Sequence, residues 1–151
     1  AEVWPHAVEA SRKTGIPPQF MVAQAALETG WGQKQLRNPD GSPSHNLFNI
    51  KAGSAWKGDT VARDVTEYAN GQAYTEPARF RAYGSYAESF RDYANLMTRS
   101  PRYADVLGQT DPAGFARSLQ DAGYATDPMY ADKLTRIIGG NTLRNALALA
   151  G

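Results

Sequence analysis

The chain contains no cysteine, which excludes disulfides, thiolate nucleophiles and thiolate metal sites and leaves its redox compartment open. Histidine is scarce. His6 and His45 lie far apart and form no HExxH-type pair, so a zinc hydrolase is not expected and neither a metal nor an organic cofactor is implied. Excess charge of one sign is missing too: 16 Lys and Arg stand against 15 Asp and Glu, a formal net charge of +1 at pH 7. That argues against a nucleic-acid binder relying on a strong positive field. No apolar run approaches the length of a membrane span, and no signal-peptide pattern is present. Because the chain starts at Ala1 and not at Met, a processed form or a fragment of a longer protein is expected. Repeats and low-complexity stretches are absent as well; the lack of coiled-coil heptads and of a large apolar stripe beyond the core points to a monomer, and the lack of a span-length apolar run to no membrane insertion.

What is there suits one domain spanning 1–151. The 151 residues are 42% hydrophobic, enough for one core but not for two domains of comparable size. Helical spacing predicts a first helix from Val3 to Lys13, ended by Gly15, and a second opened by Pro17-Pro18. Phe20, Ala23, Leu27 and Trp31 form its apolar stripe and are expected in the core. Residues 33–57 lack periodicity but carry the apolar anchors Leu47, Phe48, Ile50 and Trp56, so an ordered, functional irregular segment is expected. Thr60–Tyr68 and Tyr74–Phe80 read as strands joined by an Asn70-Gly71 hairpin turn. Tyr86, Phe90, Tyr93 and Met97 mark a helix broken at Ser100-Pro101, and Pro112–Asp121 a shorter one stopped near Gly123. A last main helix is expected from Asp127 as N-cap and Pro128 as first residue. The apolar tail after Gly139, with Leu143, Leu147 and Leu149, reads as a further helix or a frayed end. The fold class is α+β, mostly helical, with one hairpin inserted between helices.

One residue stands out chemically. Glu28 lies in Ala23-Gln24-Ala25-Ala26-Leu27-Glu28-Thr29-Gly30-Trp31-Gly32, at the end of an apolar helix, with glycines after it that let the chain approach a ligand. A carboxyl so placed stays protonated near neutral pH, as a general acid for glycosidic cleavage must. The competing reading is a solvated helix-end carboxylate. Cleavage also needs stabilisation of positive charge on the sugar, and Asp64 and Glu67 on the first strand are candidates, one on each face. Trp31, Phe48, Trp56, Tyr68, Tyr74, Tyr124 and Tyr130 are aromatics at loops and helix ends able to stack on sugar rings. Asn46 and Asn49 offer amides for sugar hydroxyls, and Lys51 a cation for a substrate carboxylate. Core packing is the alternative for each aromatic.

The Glu28 segment, followed by Ser44-His45-Asn46-Leu47-Phe48-Asn49-Ile50-Lys51-Ala52, resembles the signature of the bacterial endo-β-N-acetylglucosaminidases, glycoside hydrolase family 73. Phe80-Arg81-Ala82-Tyr83, Ser100-Pro101-Arg102-Tyr103 and Leu119–Ala131 extend the likeness over about Ile16 to Ile138. It runs strongest toward the C-terminal cell-wall-cutting domain of flagellar rod-assembly proteins of Gram-negative bacteria. The resemblance implies a lysozyme-like fold and hydrolysis of the bond between N-acetylglucosamine and N-acetylmuramic acid in peptidoglycan. It also implies a periplasmic location and flagellar rod proteins as partners through parts outside this chain. By position it makes Glu28 the general acid, Glu67 an assisting carboxylate and Tyr124 a stabiliser of the reacting sugar. Trp31, Asn46, Phe48, Lys51, Trp56, Tyr68 and Tyr130 are the expected substrate contacts. The family usually has glycine where this chain has Asn49, a departure expected to affect backbone approach and to leave the acid untouched. Rival readings are a lytic transglycosylase or muramidase on the same polymer, or a non-catalytic peptidoglycan-binding module.

Overall fold

A computed structural model describes residues 2–150 of the chain, with side chains described for residues 2–148. Helix α1 runs Trp4–Thr14 and α2 Pro18–Thr29; the hairpin strands are β1, Thr60–Ala69, and β2, Gln72–Arg81. Helix α3 (Tyr86–Arg99) follows, then a 3₁₀ turn (Pro101–Val106), α4 (Pro112–Asp121), α5 (Tyr130–Ile138) and α6 (Asn141–Ala150). The α+β class is as expected. The 3₁₀ turn was not: Pro101 ends α3 but then opens a tighter turn that buries Tyr103 and Val106.

Local chemistry explains most boundaries. Gly15 takes φ 75° and closes α1 through its N–H to the Ser11 carbonyl, a conformation glycine adopts without Cβ strain. Asn70 (φ 54°) and Gly71 (φ 78°) form the two-residue turn of the hairpin, with positive φ at both positions as the favoured twist requires. Ser85 caps α3 by accepting the Glu88 N–H, and Asp111 caps α4 by accepting the Gly114 N–H. Helix α5 begins at Tyr130, later than expected. Asp127 does not cap it; its Oδ1 accepts the Met129 N–H in a local turn that carries the chain into the helix. The tail after Gly139 is helical, and its Leu143 is buried.

Helix α2 sits at the centre, burying Phe20, Met21, Ala23, Gln24, Ala25 and Ala26 among α1, α3, α4 and α5. Trp31, expected on that buried stripe, lies past the helix end at φ 58° and is 46% exposed, because Gly30 has already turned the chain away. Phe48, expected both as an apolar anchor and as a sugar contact, takes the first of these places. It is fully buried, stacked on Tyr93 with centroids 4.2 Å apart and edge-on to Phe90 at 5.1 Å. The hairpin base packs its own Val61 and Phe80 on Leu36 in a small separate cluster, and the Arg81 N–H and Ile50 carbonyl tie it to the irregular segment.

Burial of Phe48 predicts that Phe48→Ala costs about 3–5 kcal/mol of stability, measurable by denaturant unfolding. A residue contacting substrate alone would leave the unfolding midpoint in place.

Candidate active site

The last turn of α2 delivers Glu28 to the floor of a cleft of about 640 Å³. Two neighbours hold its carboxylate. The Tyr130 hydroxyl, from the first residue of α5, donates to Oε2 at 2.7 Å, and the Asn49 side-chain amide donates to Oε1 at 3.1 Å. The same amide nitrogen donates to the Glu28 backbone carbonyl at 2.9 Å. Behind Tyr130 a buried chain continues: Gln24 Nε2 donates to the Tyr130 oxygen at 3.0 Å, and the Tyr93 hydroxyl donates to Gln24 Oε1 at 2.6 Å. Gln24 and Glu28 are one turn apart on the same helix face, so one helix carries both the acid and the group that orients its partner.

Burial pushes the Glu28 carboxyl up to about 7, against the lowering pull of the Tyr130 and Asn49 hydrogen bonds. Tyr93, Tyr124 and Tyr130 are pushed above the usual phenol range, first by burial and then by the Glu28 charge. They therefore stay neutral and able to donate. Tyr124 spends its proton on the Phe48 carbonyl at 2.5 Å, with its ring 6.2 Å from that of Tyr130.

One wall of the cleft is the hairpin, through Val65, Thr66 and Glu67; the facing wall is Tyr103, Gly123 to Asp127, and Tyr130. Glu67 and Lys51 form an ion pair at 2.9 Å within it. Lys133 and Asp127 pair at 2.5 Å on the facing wall. The Tyr68 N–H donates to Thr126 Oγ1 at 2.9 Å, joining the two walls.

The structure thus brings together Glu28, Glu67, Tyr124, Lys51 and Tyr130 around one cleft. The other expected substrate contacts lie elsewhere, each for a visible reason. Asn46 is buried; its amide donates to the Ile50 and Arg81 carbonyls and its oxygen accepts the Ile50 N–H, so it staples a turn. Phe48 is core. Trp56 donates to the Asp59 carbonyl and packs edge-on to Tyr83, under the Arg81 guanidinium. Tyr68 contributes its backbone to the wall-joining bond, and Trp31 is at the surface beyond the helix end. Asp64, the alternative carboxylate, is exposed outside the cleft lining. Asn49 is a correction of another kind. Its amide does not leave the acid untouched; it grips it. Gln24, Thr126 and Arg102 were missed as site residues; the spacing of Gln24 to Glu28 was the one available signal. Among the described residues no group of three or more His, Cys, Asp or Glu side chains is placed to hold a metal ion.

A family model described as glucosaminidase, mannosyl-glycoprotein endo-beta-N-acetylglucosaminidase, matches residues 4–143. The chain belongs to that family. As a glucosaminidase-family member it is a glycoside hydrolase. It is 52% identical over 129 residues to the peptidoglycan hydrolase FlgJ of Escherichia coli K12, covering 85% of this chain and 41% of that protein. The chain thus spans about two fifths of that curated relative's length. Its fold matches a crystal structure of a peptidoglycan hydrolase mutant from Sphingomonas sp. A1 with TM-score 0.94 and 59% identity, over 97% of this chain and 94% of that one. A C-terminally truncated glycoside hydrolase domain of Salmonella typhimurium FlgJ matches with TM-score 0.74 and 46% identity, over 95% and 93% of the two chains.

The raised Glu28 carboxyl has a consequence for stability. Between its ordinary value of 4.5 and about 7, the folded chain holds a proton the unfolded chain has lost, so stability falls as pH rises through that window. Glu28→Gln should therefore gain melting temperature over the unmutated chain at pH 8, and much less of it at pH 4.

Proposed function

We propose that this domain hydrolyses the β-1,4 bond between N-acetylglucosamine and N-acetylmuramic acid in peptidoglycan. The observation that carries this reading is Glu28, a carboxyl raised to about 7 at the floor of a tyrosine-lined cleft. Family membership and the relatives named peptidoglycan hydrolases support the substrate class. In this reading Glu28 protonates the leaving glycosidic oxygen. Its ordinary counterpart, fully ionised at neutral pH, would have no proton to give.

The developing positive charge on the sugar needs a partner. Glu67, across the cleft on β1 and paired with Lys51, supplies negative charge there. Tyr124, its ring in the cleft wall and its hydroxyl anchored on the Phe48 carbonyl, packs against the reacting sugar. The neighbouring 2-acetamido group of the substrate can serve as internal nucleophile in the same geometry, with Glu67 and Tyr124 steadying it. Lys51 lies in reach of a substrate carboxylate at the same wall.

The domain, 1–151, is the hydrolase part of a longer, periplasmic protein that opens the wall locally for flagellar rod assembly. Support comes from relatives named FlgJ, of whose length this chain spans only part. Contacts with rod proteins belong to parts outside this chain, and the hydrolase domain acts as a monomer.

Purified peptidoglycan digested by this chain, reduced with borohydride and examined by mass spectrometry should show reduced N-acetylglucosamine ends. Reduced muramic acid would make it a muramidase, an anhydro end a lytic transglycosylase, and no fragments a binding module. Glu28→Gln should lower turnover by about 10²–10⁴-fold. Because the acid must be protonated, kcat/KM should fall as pH rises through about 7, with that descending limb absent from the residual activity of Glu28→Gln.

A further inference from the structure

We propose that Asn49 is a positioning residue for the catalytic acid, its side-chain amide gripping both the backbone carbonyl and the carboxylate of Glu28 and so fixing where the acid points. The inference rests on the reading of Glu28 as the general acid.

The geometry is that of a chelate. The Asn49 amide has two hydrogens, and its nitrogen reaches the Glu28 carbonyl at 2.9 Å and Oε1 at 3.1 Å. Both acceptors belong to one residue, so the two bonds together restrict the Glu28 side-chain torsions. The carbonyl is one of the last of α2, which lack partners inside the helix, and the bond therefore also closes the helix end. The grip is built on a fixed base. Asn49 sits at φ 50°, a left-handed conformation asparagine tolerates, between the buried Phe48 and Ile50. The Asn46 amide staples that turn through the Ile50 carbonyl.

Oε2 is served from the opposite side. Gln24 donates into the Tyr130 oxygen, so the Tyr130 proton is left for Glu28. Each carboxylate oxygen thus has one donor, and the two donors come from different parts of the fold. The other hydroxyls close enough to feel the acid's charge are those of Tyr93 and Tyr124, both neutral. The charged side chains of the cleft are engaged elsewhere: Lys51 with Glu67, Lys133 with Asp127, Arg81 with Asp92. Arg102 donates its Nε–H to the Ala122 carbonyl. Among the described residues only Asn49 donates a hydrogen bond to Oε1.

A donor to the carboxylate favours the ionised form, so its loss moves the titration up. Two variants test this. Asn49→Gly removes the amide at a φ glycine adopts freely. Asn49→Asp keeps the shape and replaces the donor by a second carboxylate. The readout is the midpoint of the Glu28 carboxyl resonance in chains carrying ¹³C-labelled glutamate, assigned by its loss in Glu28→Gln. The midpoint should rise by about one unit in Asn49→Gly and further in Asn49→Asp. With wall fragments as substrate, kcat should fall about tenfold with KM nearly unchanged, since only the aim of the acid is lost. A midpoint that stays in place or falls in Asn49→Gly would overturn the proposal. Melting curves verify the fold, and Asn49→Leu, of similar size and without a donor or a charge, carries the same test if the glycine variant unfolds. The titration does not depend on turnover: an active Glu28→Gln would sink the acid assignment, whereas an inactive one with unmoved midpoints would sink the role of Asn49 alone.

Discussion

The site depends on one unfavourable act, taking a carboxylate partly out of water at the end of α2, where Glu28 sits half-buried in the cleft. Burial raises Glu28 to about 7, and everything around it either enforces or limits that rise. The apolar body of α2 withholds solvent. Tyr130 and Asn49 return two hydrogen bonds, enough to orient the group without restoring its ordinary acidity. A buried carboxyl with no donors would be costly and free to rotate; one with many charged donors would be ionised at neutral pH. The arrangement lies between those limits.

The surrounding fold reads as the means of holding that balance. Tyr93 on α3, Gln24 on α2 and Tyr130 on α5 form a polar chain across the helical core, so three helices must keep register for the acid to keep its partner. The described buried side-chain polar atoms all have hydrogen-bond partners, as a rigid core with a polar network requires. The hairpin is held differently. Its base packs Val61 and Phe80 on the buried Leu36, and its outer part meets the facing wall through Tyr68 and Thr126. Orientation of the Glu28 carboxyl thus rests on the helical core through Tyr130 and on the irregular segment through Asn49, and one cleft wall on the hairpin.

Much of this was legible in the sequence where the cause is local. Gly15, Pro17-Pro18, Asn70-Gly71 and Ser100-Pro101 mark their boundaries because turn and helix-end chemistry acts over a few residues. The position of Glu28 and its raised carboxyl were legible because an apolar helix and a glycine stop already describe that environment. What was not legible depends on contacts distant in sequence. Trp31, expected on the buried stripe, is at the surface, and Phe48, expected as an apolar anchor and as a sugar contact, is core, since periodicity cannot see that Gly30 turns the chain or that Tyr93 waits to stack. Tyr130 was marked as a sugar contact, yet its hydroxyl meets a residue 102 positions earlier. Asn49 reads from the sequence as an amide for sugar hydroxyls and a backbone constraint, because nothing in its neighbours says that its amide reaches the end of α2.

The central claim is that Glu28 carries its proton near neutrality, and infrared difference spectroscopy tests it without substrate. Comparing the unmutated chain with Glu28→Gln at pH 6, the account predicts the carbonyl stretch of one protonated carboxylic acid, present only in the unmutated chain. That band should fade as pH passes about 7. A chain showing no such band at pH 6, with Glu28 already ionised, would contradict it.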